Sequence, residues 1–145
     1  GEAGAGERCV DVDGLLGLRI IDDMLPLSRQ VQIACDMAKN GAARLAGQQP
    51  PAFEDIETTM DELYARIDRT IAFIHTLDAA DIDGSEERDI LLLMRSGELR
   101  FKGQDYLLGF VLPNLHFHCT VAYALLRGQG APLGKTDYIA GATPV

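Results

Sequence analysis

Apolar residues recur every three or four positions through the middle of the chain, and this spacing is typical of one face of an amphipathic helix. The members of this stripe are Phe53, Ile56, Met60, Leu63, Ile67, Ile71, Ile74 and Leu77. Glu54, Asp55 and Glu57 crowd its first turn, where the helix dipole favours negative charge. The sequence therefore predicts a long helix over 53–77.

Two further helical patterns flank this one. The first runs from Leu27 to Ala46 and is followed by Gly47 and two prolines, which prevent its continuation. Its apolar positions are Val31, Ala34, Cys35, Ala38, Ala42 and Leu45. The second runs from about Gln104 to Arg127. Its core-facing positions are Leu107, Val111, Asn114, His118, Val121 and Leu125. Pro113 lies inside this pattern and predicts a kink or a restart there, because proline lacks a backbone N–H.

A short β-hairpin is predicted between the second and third long helices. Residues 89–94 and 98–102 form its arms, and Gly97 lies in its turn. We interpret 1–145 as a single domain with a flexible or trimmed N-terminus over 1–14 and an irregular tail over 131–145. Because four helices are the usual closed arrangement of a bundle, a first helix is expected either upstream of this chain or from a partner chain.

Composition narrows the possible partners. The net charge of −9 disfavours nucleic acid and anionic membranes, both of which require basic surfaces. No apolar run approaches the roughly 18 residues that span a bilayer. The three cysteines follow no CxxC spacing and are typical of a reducing cytoplasm rather than of a disulfide framework.

The stretch "PNLHFHC" (113–119) holds most of the rare polar chemistry. Asn114 and His118 are four residues apart and share one helix face, whereas His116 points elsewhere. The simplest interpretation is that Asn114 and His118 are a buried, hydrogen-bonded pair. Gln30 and Gln32 are weaker candidates to line a pocket.

Three stretches together resemble a bacterial family of unknown function in the DinB/YfiT-like superfamily. These are "DDMLPLSRQVQIACDMAK" (22–39), "ARLAGQQPPAFEDIETTMDELYARIDRTIAFI" (43–74) and "GELRFKGQDYLLGFVLPNLHFHCTVAYALLRGQGAPLGKTDYIAG" (97–141). The resemblance covers about 15–141. It implies a DinB-like four-helix bundle whose additional first helix, before position 15, is absent from this chain.

The resemblance also implies a candidate site. Many DinB-like proteins bind a divalent metal through three histidines, and the corresponding positions here are Cys35, Asn114 and His118. A thiolate and an imidazole suit zinc, but an asparagine carbonyl is a weak ligand for it.

Two functions follow as hypotheses. The favoured one is a binding or structural homodimer with a vestigial or atypical site, whose small-molecule ligand, if any, is unknown. The alternative is a thiol transferase or hydrolase that depends on zinc or nickel and uses Cys35, Asn114 and His118.

Overall fold

The computed structural model describes residues 11–139, and three long helices dominate that part of the chain. They are α1 (Leu27–Leu45), α2 (Met60–His75) and α5 (Leu112–Gly128). An antiparallel hairpin of β1 (Asp89–Met94) and β2 (Gly97–Lys102) precedes α5. The shorter elements are the 3-10 turns Asp13–Gly17 and Ser85–Glu87, α3 (Ala79–Ile82), α4 (Gly103–Tyr106), the π-helical turn Leu107–Val111 and α6 (Lys135–Tyr138). The predicted helical architecture, with a hairpin before the last long helix, is confirmed.

The predicted start of the second long helix is wrong. The helix begins at Met60, because Thr59 caps it by accepting a hydrogen bond from the backbone N–H of Glu62 at 3.1 Å. Asp13 accepts a further bond from the Met60 N–H at 2.8 Å. Residues 50–58 are not helical, and Ile56, a predicted core residue, is 67% exposed. The helical spacing before Thr59 was therefore coincidental.

The predicted helix over 104–127 is divided into α4, the π-helical turn and α5. Pro113 is the second residue of α5, where its missing N–H costs no hydrogen bond. The predicted restart near Pro113 is confirmed. The prediction of an irregular tail from residue 131 is wrong in part, because α6 forms within it. Likewise, positions 13 and 14 of the predicted loop begin a 3-10 turn, while 1–10 and 140–145 lie outside the described residues.

The apolar core has two parts. One joins the N-terminal turn to the three long helices through Leu15, Leu16, Leu27, Met60, Leu63, Val121 and Leu125. The other seats the hairpin on the end of α1 through Leu45, Ile90, Leu92, Tyr106 and Val111. Gly41 permits this second contact, since a Cβ there would lie 2.7 Å from Cγ1 of Val111. The strand register places Ile90 and Leu92 inward and leaves Leu91 and Leu93 on the outer face.

An ion cluster around a buried arginine connects α1, α2 and the extended segment before α2. At its centre, the fully buried Arg66 side chain pairs with Asp36, Asp55 and Glu57 at 2.9–3.0 Å. Arg66 also donates to the carbonyl oxygen of Glu54 at 3.0 Å. Burial alone would raise the pKa of Glu57, but hydrogen bonds, chiefly from Arg66, lower it below its usual value. We call these four side chains the Arg66 cluster.

Replacement of Arg66 by methionine should destabilise the protein by about 3–5 kcal/mol, because the acidic groups of the cluster would lose their shared cation. Arg69→Met is the matched control on the same helix. It removes an exposed arginine that stacks on Phe53 and should cost no more than about 1 kcal/mol. Urea unfolding monitored by circular dichroism measures both changes. Equal stabilities for the two variants would contradict a central role for Arg66.

Candidate functional site

His118, on α5, makes one defined polar contact, and it is with α1 rather than with Cys35. Its Nδ1 atom lies 2.7 Å from Oε1 of the buried Gln30. The Gln30 amide is oriented by its other end, which donates to the carbonyl oxygen of Leu25 at 3.1 Å. Since Oε1 can only accept, Nδ1 of His118 must carry the proton. Nε2 of the neutral ring therefore keeps a lone pair that can bind a metal or accept a proton.

The charge state of His118 follows from its surroundings. Burial lowers the pKa of this histidine, and the positive charge of Arg29 lowers it further. The ring is consequently neutral at pH 7. The rings of Phe117 and His118 pack edge to face, with their centroids 5.0 Å apart. These contacts hold the imidazole in a single orientation.

The other two candidates have separate partners. Asn114 donates through Nδ2 to the carbonyl oxygen of Phe110, within the π-helical turn, at 2.8 Å. Cys35 is buried on α1, and that burial raises its pKa, so the thiol stays protonated. The nearby Thr70 opposes this rise, although its Oγ1 forms no hydrogen bond of regular geometry. The predicted Asn114–His118 hydrogen bond is therefore wrong, since each side chain binds elsewhere.

These contacts bear on whether a metal fits. Within residues 11–139, no three or more histidine, cysteine or acidic side chains are grouped so as to hold a metal ion. Cys35 would have to lose its proton against the effect of burial, and Asn114 offers only an amide oxygen. The donor set of Cys35, Asn114 and His118 therefore does not fit a soft divalent metal well.

His116 lies away from His118, as its helical position predicts. Its Nδ1 atom is 3.0 Å from the hydroxyl oxygen of Tyr138 on α6. The Tyr138 hydroxyl also accepts from Thr120 and donates to the His116 carbonyl oxygen, both at 3.3 Å. This contact fastens α6 to α5. No sequence pattern indicated this contact, because Tyr138 lies in the stretch that was predicted to be irregular.

An apolar groove of about 430 Å³ runs between α1, α2 and α5. From α1 and α2 it is lined by Val31, Ala34, Ala38, Ile67, Ile71 and Ile74. These residues belong to the apolar stripes whose spacing predicted the two helices. They face this opening, while other members of the same stripes lie in the core. Cys35, Thr70 and Cys119 also line the groove, and burial raises the pKa of Cys119 as well. Leu115 and Leu126 come from α5, and Tyr138 borders one side.

Comparisons with known proteins agree with this fold. A family described as a domain of unknown function (DUF1993) matches residues 1–139. This chain belongs to the DUF1993 family. A solved structure described as a DinB family member protein from Shewanella denitrificans is similar, with a TM-score of 0.90 and 40% sequence identity. The match covers 99% of this chain and 81% of that one. Curated proteins yield no match.

Both comparisons confirm the predicted family and its DinB-like fold. A separate observation concerns membranes: across residues 11–139, each helix is too short or too polar to cross a bilayer.

The environment of His118 makes folding stability depend on pH. Because its pKa is lower in the folded protein than in the unfolded chain, the unfolded state binds more protons as the pH falls. The contribution of neutral His118 to folding stability is complete above the pKa of histidine in the unfolded chain, about 6.5. It is lost as the pH falls through the lower pKa of His118 in the folded protein. Stability should therefore decrease on acidification, and His118→Gln should remove part of that decrease.

Urea unfolding at pH 7.5 and pH 5.5 measures this effect. His75→Gln is the matched control, since His75 is exposed at the end of α2. The wild type and the control should lose similar stability between the two pH values, and His118→Gln should lose less. A loss in His118→Gln as large as in the wild type would rule out this assignment.

Proposed function

We propose that this DUF1993 protein acts by binding rather than by catalysis, and that it forms a homodimer through its apolar groove. The observation that carries the proposal is the groove itself. Three helices direct apolar side chains toward one opening that the described residues leave uncovered. Ile71, in the C-terminal half of α2, is 49% exposed there. Soluble proteins rarely leave a contiguous apolar face open unless something binds to it.

A second copy of the chain is the occupant that we propose. In a two-fold dimer the same face of each copy meets the other, so every apolar stripe finds an apolar partner. The pairing would also give α1, α2 and α5 the additional helices that close a bundle. The groove-facing part of this surface carries few charged groups, so little would be lost by removing it from water.

The contacts around His118 favour a non-catalytic role. A catalytic cysteine requires a thiolate, and that usually requires a histidine or another cation beside it. His118 instead bonds to Gln30, while burial keeps the Cys35 thiol protonated. The neutral imidazole of His118 is thus used as a hydrogen-bond donor to Gln30.

Charge and thiol chemistry support the remaining parts of the proposal. The net charge of −9 favours partners other than nucleic acid and anionic membranes. Cys35 and Cys119 are both free thiols, which supports a cytoplasmic location.

The dimer is tested by measuring mass in solution with multi-angle light scattering. The wild type should elute at twice the 15.7 kDa chain mass. Ile71→Glu should raise the dissociation constant of the dimer by about tenfold or more, because it places like charges opposite each other in the interface. Leu93→Glu is the control, since Leu93 is 78% exposed on the hairpin and away from the groove. A monomeric wild type, or an Ile71→Glu variant that associates as well as the control, would refute the dimer.

The second candidate is a thiol transferase or hydrolase that depends on zinc or nickel. One observation favours it: the hydrogen bond to Gln30 leaves Nε2 of His118 with a free lone pair, which is the state that a metal ligand requires. Cys35 and Asn114 would complete the ligand set. The protonated thiol and the amide ligand make this set weak, so we rank it second.

Metal analysis of tag-free protein separates the two candidates. The favoured proposal expects less than stoichiometric zinc and nickel in the wild type, in His118→Ala and in the exposed-histidine control His75→Ala. Stoichiometric metal that is retained in His75→Ala and lost in His118→Ala would establish the second candidate instead.

A further inference from the structure

The outer edge of β1 is open to a further strand. β1 and β2 form a two-stranded sheet, so each has one side that faces no other strand of the described residues. The turn between them consists of the two residues 95–96, which makes Met94 and Gly97 a hydrogen-bonded pair. Because bonded and non-bonded pairs alternate along an antiparallel ladder, the N–H and C=O groups of Leu91 and Leu93 point away from β2.

These outward backbone groups are unpaired. Within the described part of the chain, no hydrogen bond reaches the backbone of Leu91 or Leu93 on that side. Both residues are also exposed, by 44% and 78% respectively. A strand edge with free donors and acceptors is a template on which another extended chain can be added.

The two edges of the hairpin differ in their side chains. Along β2, the outward-pointing positions carry Glu98, Arg100 and Lys102, and charged side chains discourage the addition of a strand. On β1, the positions opposite them include Leu91 and Leu93. Edge strands usually avoid this combination of exposed aliphatic side chains and free backbone groups. The edge of β1 therefore lacks the protection that the edge of β2 has.

A depression of about 510 Å³ lies beside this unprotected edge. Leu91 and Leu93 line it from β1, while Arg44 and the loop 48–50 line it from the end of α1. The lining contains no acidic side chain. A space of this size suits a segment of a few residues rather than a folded domain.

The charges of the hairpin favour an acidic ligand over a basic one. Segment 88–102 carries four basic and two acidic residues, although the net charge of the chain is −9. Both acidic side chains are already paired, Asp89 with Lys102 at 2.7 Å and Glu98 with Arg100 at 3.1 Å. Neither carboxylate is therefore free to attract a cationic ligand.

Two arginines near β1 lack a negative partner. Arg95 is exposed in the turn, and Arg44 lines the depression. Throughout residues 11–139, no carboxylate lies within ion-pair distance of either guanidinium. The Nη1 atom of Arg44 lies 3.0 Å from the hydroxyl of Tyr106, which holds this side chain in place. Acidic side chains on an added strand would meet these cations.

We propose that β1 binds an extended acidic peptide as a third strand of the hairpin sheet. The peptide backbone would pair with the free N–H and C=O groups of Leu91 and Leu93. Two peptide side chains, two positions apart, would lie against these leucines, and β-branched aliphatic residues suit such positions. Glutamates flanking the aliphatic pair would approach Arg44 and Arg95.

The test uses the full chain and an acetylated, amidated probe peptide, Glu-Thr-Val-Thr-Val-Thr-Glu. Its valines and glutamates share one face in either strand direction. The peptide should give saturable amide NMR shifts in β1. At ten times its dissociation constant, it should also slow hydrogen exchange of the Leu91 and Leu93 amides about tenfold. The Ile90 and Leu92 amides are the internal control, since they bond within the ladder and should change little.

Modified peptides separate backbone pairing from charge. One carries N-methyl groups on its valines and another on its threonines. Because alternate residues of a strand direct their amides to opposite edges, one of the two should bind about tenfold more weakly and the other like the parent. Replacing both glutamates by lysine should weaken binding about threefold or more, although the net charge of −9 alone would attract a cationic peptide.

Two variants and two matched controls locate the site. Leu93→Thr should weaken the probe about tenfold, because it removes apolar contact area from the edge. Leu108→Thr should leave binding unchanged, since Leu108 is 55% exposed in the π-helical turn and lies outside the depression. Arg95→Gln should reduce the preference for glutamate over lysine. Arg127→Gln, which removes an exposed arginine from the last turn of α5, should retain that preference.

Each outcome supports or overturns the added strand. Saturable binding with new protection of Leu91 and Leu93 supports it. It is overturned if the probe gives no saturable shift, if both methylated peptides bind like the parent, if the lysine peptide binds as tightly, or if Leu93→Thr binds like the wild type. It is also overturned if the two amides are already protected without peptide, because a second copy of the chain then covers the edge. β1 lies outside the groove lining, so failure here would leave the dimer proposal intact.

Discussion

The fold depends on the burial of one arginine. Arg66 lies inside the molecule at the junction of α1, α2 and the extended segment before α2, where it holds Asp36, Asp55 and Glu57 together. Ion pairs removed from water stabilise a protein only when their geometry compensates for lost hydration. Two guanidinium nitrogens here are paired, while Nε is left without a partner within the described structure. Such a cluster specifies one arrangement of the three segments, because a shift of any segment would leave the buried charge of Arg66 without one of its partners.

The Arg66 cluster also determines which faces of the helices are buried. The inner positions of α1 and α2 include Gln32, Lys39 and Arg66, which are 3%, 2% and 1% exposed. Polar side chains therefore fill part of the space that apolar stripes usually occupy. Part of each apolar stripe faces the groove instead, where Ile71 remains half exposed. The interior is therefore polar where α1 meets α2, whereas the open surface of the groove is apolar.

The sequence was informative where a pattern depends on local spacing. The bounds of α1, the two arms of the hairpin and the restart near Pro113 all follow from nearby residues, but Gly97, which was predicted to lie in the turn, is the first residue of β2. It was misleading where contacts between residues distant in the sequence determine the local structure. The segment 53–59 has helical spacing, but Arg66 and Asp13 hold it and the following residue in another arrangement. Arg66 was itself a readable signal, since it falls three residues after Leu63 on the buried face. The partner of His118 was not readable, because Gln30 is 88 positions away.

The polar contacts of α1 fix how that helix is turned about its axis. Gln30 meets α5, Asp36 pairs with Arg66 on α2, and Arg44 bonds to Tyr106 on α4. A rotation of α1 would break these contacts together and leave buried polar groups without partners. The polar contacts therefore hold the orientation in which α1 presents its apolar residues to the groove.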